Sequence, residues 1–315
     1  MISQFKSLSV VGSLLLISGL FLWLSGEGNN LQAQPGLDLV KLGQSKALLF
    51  RTETRLLHSD AIGQDFEIHI SFPVDYFSTD TSIYPVLYCT DANRNFDLVS
   101  NIVNILNFPG REIPRILVVG IGYPINGLED WAAWRTRDLT PTADPEHDKT
   151  WQKTLRRMSG REDIVVSSGG AAQFLAFIRN EVIPYIEANY RVSKTDRAIM
   201  GYSLGGLFTL YALFHAPETF RRYFAGSPSL WWGNGVLFRD EQNFAEAHTD
   251  LPVKLFLSAG ALEDEEMIAD VKRMETLLRS RNYPNLDLQS HVFEDETHQS
   301  AYPAATSRAL RLIYK

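Results

Sequence analysis

One cysteine, Cys89, stands in 315 residues. Without a second thiol an intrachain disulfide is excluded, and so is a cysteine-rich metal site. Cys89 closes the strand-like run YPVLYC and reads as a small buried hydrophobe. No block of Lys and Arg occurs, and the 37 acidic residues outnumber the 30 basic ones to give a net charge of −7. Nucleic acid is therefore not an expected partner. Metal spacings such as H-E-x-x-H are missing, so no metal and no cofactor are expected, and DPEHD at 144–148 reads as a solvated loop. Internal repeats and low-complexity segments are also lacking. With 45% apolar residues and only 21 Gly and 14 Pro, a single large globular domain is expected.

One long apolar run is present. Lys6 precedes LSVVGSLLLISGLFLWLSG, uncharged from Leu8 to Gly26, and EGNNLQAQP follows. This has the layout of a secretory signal with a small-residue cleavage point after Ala33, although Leu31 is large for the −3 position. An uncleaved membrane-anchoring helix is the alternative, because the run approaches the length that spans a bilayer. Residues 1–33 are read as a signal peptide or membrane anchor, and the protein as exported: periplasmic, secreted or membrane-anchored.

Beyond residue 45 two periodicities alternate. KALLFRTETRLLHS and DFEIHISFP read as antiparallel strands joined around Asp60–Gly63. IYPVLYCTD, RILVVGIG, RAIMGYS, VKLFLSAG and LDLQSHVFED read as strands, most of them covered on both faces. FDLVSNIVNILNF, AAQFLAFIRNEVIPYIEANY, EEMIADVKRMETLLRS and AYPAATSRALRLIY have helical spacing, and Pro184 is expected to kink the second or interrupt its ladder. Alternating strands and helices imply an α/β domain over 45–315 with a mostly parallel central sheet. Residues 123–170 lack a clean period and read as a lid-like insertion.

IMGYSLGGLF carries the chemistry. Strand, G-x-S-x-G and helix follow directly, the arrangement that presents a serine hydroxyl above a sheet edge in a strained turn. Ser203 is the candidate nucleophile, and the backbone N–H of Leu204, at a helix N-terminus, is a candidate oxyanion donor. A serine needs a base. Of seven histidines, His298 alone lies in a loop between the last strand and the last helix, where α/β folds assemble sites. The orienting acid falls in GALEDEEM. Glu265 and Glu266 suit the first turn of a helix, and the pattern leaves Glu263 and Asp264 open.

At this point the chain resembles the putative-esterase family of α/β-hydrolases, especially its branch of siderophore esterases that open ferric enterobactin- and bacillibactin-type trilactones. The resemblance rests on YCTDANRNF (88–96), VVGIGYP (118–124), RTRDLTPT (135–142), SSGGAAQFLAFIRNEVIPYI (167–186), GYSLGG, AGSPSLWW (225–232), FLSAGALED (256–264) and His298. It implies an α/β-hydrolase fold and a serine esterase working through an acyl-enzyme. It also implies Ser203 as nucleophile, His298 as base, Glu263 as acid and the backbone N–H of Asn93 as second oxyanion donor. Ala92 stands where relatives have glycine, a departure that matters if the loop takes a positive φ there, and Tyr202 stands where many have histidine. The substrate implied is a small-molecule ester, with a ferric catecholate siderophore as the refinement. Trp131, Trp134, Trp231 and Trp232, with Arg135 and Arg137, are candidates to hold a planar anionic acyl group. The competing reading pairs the arginines with Asp130 and Asp138 and packs the tryptophans under the lid. An acyltransferase, a serine exopeptidase or an inactive binding protein on the same scaffold are the alternatives.

Overall fold

The computed structural model describes residues 49–78 and 81–315. The expected signal or anchor at 1–33 and the lower domain bound at 45 lie outside the described residues. Among those residues, no helix is long and apolar enough to cross a membrane.

The unit Leu48–Lys315 is built on one eight-stranded sheet. Its strands are β1 (Thr52–Ser59), β2 (Gln64–Ser71), β3 (Tyr84–Cys89), β4 (Leu117–Gly122), β5 (Val192–Tyr202), β6 (Arg222–Gly226), β7 (Lys254–Gly260) and β8 (Asp287–Phe293). They lie in the order β1-β2-β4-β3-β5-β6-β7-β8. β1 and β2 pair antiparallel, as β2 does with β4, and every later pair is parallel. This is the α/β domain with a mostly parallel sheet expected from the alternating pattern, and the α/β-hydrolase architecture that the resemblance implies, with the antiparallel strands at the front.

Helices cover both faces, which is why the parallel strands are apolar almost throughout. On one face α1 (Ala92–Asn107) and α9 (Ala301–Ile313) pack through Phe96, Val99, Val103, Ala305 and Leu310 onto Leu87, Val118, Met200 and Phe224. On the other, α4 (Ala171–Phe177), α6 (Leu204–His215) and α8 (Glu265–Ser280) bury Phe174, Phe208 and Met274 against Ile199, Tyr223 and Leu257. α6 is buried along nearly its whole circumference, so its position relative to β5 is fixed from all sides. Cys89 is buried as read, and burial pushes its thiol up to about 12, with the Asp91 charge adding in the same direction.

Three features differ from the sequence reading. The insertion 123–170 is not irregular: it holds α2 (Leu128–Asp138) and α3 (Pro145–Ser159), which enclose a small core of Ala132, Ala133, Leu155, Ile164 and Val166. DPEHD is therefore no loop, since Asp144 caps α3 by accepting from the His147 N–H at 3.0 Å and Pro145 occupies the first turn. Pro184 interrupts the helical ladder, as the sequence leads one to expect: a π-turn, Ile178–Val182, separates α4 from α5 (Ile183–Asn189). Proline lacks an N–H, and the wider turn accommodates the lost ladder bond. β6 and α7 (Trp232–Ala247) carried no sequence reading at all.

Candidate active site

Every candidate group for the chemistry follows the C-terminal end of a parallel strand, where an open α/β sheet gathers its ligands. Ser203 follows β5 and has φ 61°, ψ −120°. That conformation is costly for any residue with a side chain and is held by its surroundings. Its N–H donates to Gly226 O at 2.9 Å, while its C=O accepts from Leu207 N at 3.0 Å and Ser229 N at 3.2 Å. The glycines of the motif make room. A Cβ on Gly201 would collide with the Gly205 carbonyl, and one on Gly205 would stand 2.5 Å from Thr90 Oγ1. Ser203 Oγ has Ser229 Oγ at 3.4 Å, too long for a strong hydroxyl–hydroxyl bond.

His298 lies in the turn between β8 and α9. Its Nδ1 is 3.2 Å from Glu263 Oε2, so with Glu263 ionised Nδ1 carries the proton and Nε2 is left as the acceptor. Glu263 follows β7, and its carboxylate is withdrawn from solvent. Its Oε1 accepts from Ser227 Oγ at 2.6 Å and from Gly260 N at 2.7 Å. Burial pushes the carboxyl up, but the hydrogen bonds from His298, Ser227 and Gly260 outweigh it and hold Glu263 below its ordinary value. Asp264, the other candidate acid, is the residue that precedes α8; its carbonyl accepts from Ile268 N. Glu263 is the acid brought to His298.

Ser203 and His298 line one cleft of about 300 Å³, with Asp91, Arg94, Trp131, Arg135, Tyr202 and Tyr302 among its walls. Leu204, as the first residue of α6, has an N–H with no intrahelical acceptor. Asn93 occupies the second position of α1, where its N–H is likewise outside the helical ladder. Its side chain binds the backbone of Tyr123 in both directions, Nδ2 to O at 2.8 Å and N to Oδ1 at 2.9 Å, fixing this helix end to the end of β4. The left-handed backbone falls one residue earlier than Ala92, on Asp91 at φ 58°, and Ala92 itself is helical. The glycine-to-alanine departure is thus accommodated.

The candidate substrate residues divide. Arg135 reaches the cleft, but its guanidinium is taken by Asp91, with Nε to Oδ1 at 2.8 Å and Nη2 to Oδ2 at 2.9 Å. Trp131 donates from Nε1 to the same carboxylate at 3.0 Å. Arg137 is not in the cleft. It makes a bidentate pair with Asp138 and a bond to Gln64 Oε1 at 2.8 Å. Asp130 is paired with Arg161 and not with Arg135. Trp134 packs edge-on to Tyr123 beneath the insertion, and Trp232 is fully buried with Nε1 donating to Thr142 O. Both are structural. Trp231 is exposed, its ring tilted against that of Trp232, and is not among the cleft's lining residues. Three residues of the site escaped the sequence reading. Asp91 and Arg94, the latter with its guanidinium 5.2 Å from the Trp131 ring, were visible only as parts of YCTDANRNF, and Ser227 only within AGSPSLWW.

Residues 137–306 match the family model described as "Putative esterase". The ferri-bacillibactin esterase BesA of Bacillus subtilis is 33% identical over 272 residues, covering 82% of this chain and 88% of its own. The siderophore enterobactin esterase of Emericella nidulans is 32% identical over 283 residues, 79% of this chain and 89% of its own. Among solved structures, the BES protein from Bacillus cereus aligns with a TM-score of 0.71 and 29% identity, over 86% of this chain and 99% of that one.

Proposed function

The chain belongs to the "Putative esterase" family and is a serine hydrolase of carboxylic esters, and we propose that Ser203, His298 and Glu263 carry its reaction. The observation that bears most weight is the 3.2 Å contact between His298 Nδ1 and the withdrawn Glu263 carboxylate, in the cleft that His298 shares with the strained Ser203. In this reading Glu263 fixes the imidazole tautomer, and Nε2 removes the Ser203 proton as Oγ attacks the ester carbonyl. The tetrahedral oxyanion is held by the N–H groups of Leu204 and Asn93, both at helix N-termini. His298 then protonates the leaving alcohol. Water repeats the sequence on the acyl-enzyme and releases the acid. Replacing Ser203 by alanine and measuring hydrolysis of p-nitrophenyl esters tests the assignment; an alanine variant with wild-type activity removes Ser203 from the mechanism.

For the substrate we propose a siderophore ester that carries a planar, anionic catecholate arm. Support comes from the similarity to the ferri-bacillibactin and enterobactin esterases and from the cleft wall itself. Two guanidiniums lie over the Trp131 ring, Arg94 at 5.2 Å and Arg135 at 4.8 Å from its centroid. Asp91 neutralises Arg135, and among the described residues no carboxylate pairs with Arg94. Arg94 is therefore the charge free to meet an anion. A cleft of about 300 Å³ is at the lower end for ligand sites, room for one arm of a trilactone with the remainder outside. Hydrolysis of a ferric tris-catecholate lactone, compared with its uncharged alkyl-ester analogues, distinguishes a specialist from a general esterase. We further propose export, on the apolar run Leu8–Gly26; fractionation of expressing cells tests it.

A further inference from the structure

Glu263 has a second line of support behind it that ends beside the nucleophile. Ser227, immediately after β6, is completely buried. Its Oγ is 2.6 Å from Glu263 Oε1 and 2.7 Å from Tyr202 Oη. An ionised carboxylate only accepts, so the single Ser227 proton goes to Glu263, and Tyr202 must donate its own proton to Ser227. The bonds therefore run in one direction, from Tyr202 through Ser227 to Glu263. Tyr202 is the residue before Ser203, and its ring packs on that of His298 with centroids 5.1 Å apart. Ser227 occupies the left-handed region at φ 38°, held by its N–H donating to Ser258 O at 2.8 Å. A buried serine that needed only to satisfy its hydroxyl has ordinary backbone carbonyls available in an ordinary conformation. This one is held in an unfavourable conformation that aims its proton at one oxygen.

We propose that Tyr202 and Ser227 are positioning residues that lock the Glu263 carboxylate so that Oε2 faces His298 Nδ1. Gly260 N–H and Ser227 both fix Oε1, which resists rotation of the carboxylate, and among the described residues Oε2 has His298 alone as its hydrogen-bond partner. The inference rests on Ser203, His298 and Glu263 being the catalytic set. It also gives Tyr202 a definite task, because its hydroxyl spans from the elbow to the end of the neighbouring strand.

The test is a set of variants assayed on p-nitrophenyl acetate, each with its thermal midpoint measured. Ser227→Ala and Ser227→Gly both remove the hydroxyl, and glycine tolerates the left-handed backbone, so a loss shared by the two is not conformational strain. Each is expected to lower kcat about tenfold, the scale of one hydrogen bond to a charged group, with KM within about twofold. Tyr202→Phe, one step removed, is expected to lower kcat about threefold. In a Glu263→Ala background the Ser227 changes should add nothing, because nothing remains to be oriented. If Ser227→Ala does not fold, Ser227→Gly and Tyr202→Phe carry the comparison. Equal losses with and without Glu263, or wild-type kcat in both Ser227 variants, overturn the relay alone. Wild-type kcat in Glu263→Ala overturns the catalytic set, and the relay with it.

Discussion

Replacing Asp91 by asparagine keeps its shape and removes its charge, which makes it a sharp probe of what Arg135 is for. The carboxylate is 2% exposed and its guanidinium partner 14%, joined by two bonds of 2.8 and 2.9 Å, with Trp131 Nε1 sharing Oδ1. The asparagine amide turns a donor toward Arg135 Nη2 and leaves a nearly buried cation unpaired. Breaking a buried pair from one side costs about 3–5 kcal/mol, and the slight exposure of Arg135 favours the lower end, about 3 kcal/mol. For the roughly 270-residue unit Leu48–Lys315, unfolding entropy near the midpoint is about 0.55 kcal/mol per kelvin, so Tm should fall by about 5 °C. Arg135→Met added to Asp91→Asn removes the orphan cation and should recover most of that loss, a non-additivity that calorimetry resolves. Hydrolysis of a neutral ester should also slow in Asp91→Asn, because Asp91 leads into the helix start bearing Asn93. An unchanged midpoint in Asp91→Asn, together with a KM for anionic esters that rises in Arg135→Met alone, would mean that Arg135 serves the substrate and not the fold.

Further consequences are open to measurement. Glu263→Gln should lower kcat by about three to four orders of magnitude while Asp264→Asn stays within about twofold, since only the first is hydrogen-bonded to the imidazole; the reverse ranking reassigns the acid. Arg94→Met should raise KM about tenfold for esters of anionic acids and leave neutral esters alone, as expected from loss of one charge-assisted contact; equal effects on both classes refute the charge argument. Glu263 is held below its ordinary 4.5 in the fold. Its ionisation therefore adds stability that is complete above pH 4.5 and disappears as pH falls through the lowered folded value. Thermal midpoints across pH 3–6 should fall more steeply for wild type than for Glu263→Gln, and parallel curves would contradict this.

What could be read from the sequence tracks how local each signal is. The sheet was readable because buried parallel strands are continuous apolar runs, and the elbow because strand, Gly-x-Ser-x-Gly and helix are contiguous. β6 escaped because RYFAG is five residues beginning with a charge. α3 escaped because its apolar stripe is only Trp151, Leu155 and Met158, in a segment otherwise polar and charged, although Asp144 and Pro145 are a helix-start signal in their own right. The sequence offers Arg135 and Arg137 the acids of their own segment, Asp130 and Asp138, whereas the partner of Arg135 lies 44 positions away, before β4 in the chain. Pairings of that kind depend on tertiary placement. The same holds for Ser227, whose bond to Glu263 joins the ends of two neighbouring strands and leaves no mark on either segment.

The central claim is that Ser203 forms the acyl-enzyme. The most direct measurement treats wild type and Ser203→Ala with an organophosphonate ester, maps the adduct by peptide mass, and follows p-nitrophenyl ester hydrolysis in parallel. The account predicts one covalent adduct on the peptide containing Ser203, none in the variant, and a loss of at least about a thousandfold in kcat at unchanged Tm. An adduct on a different residue, or hydrolysis surviving in Ser203→Ala, would contradict it.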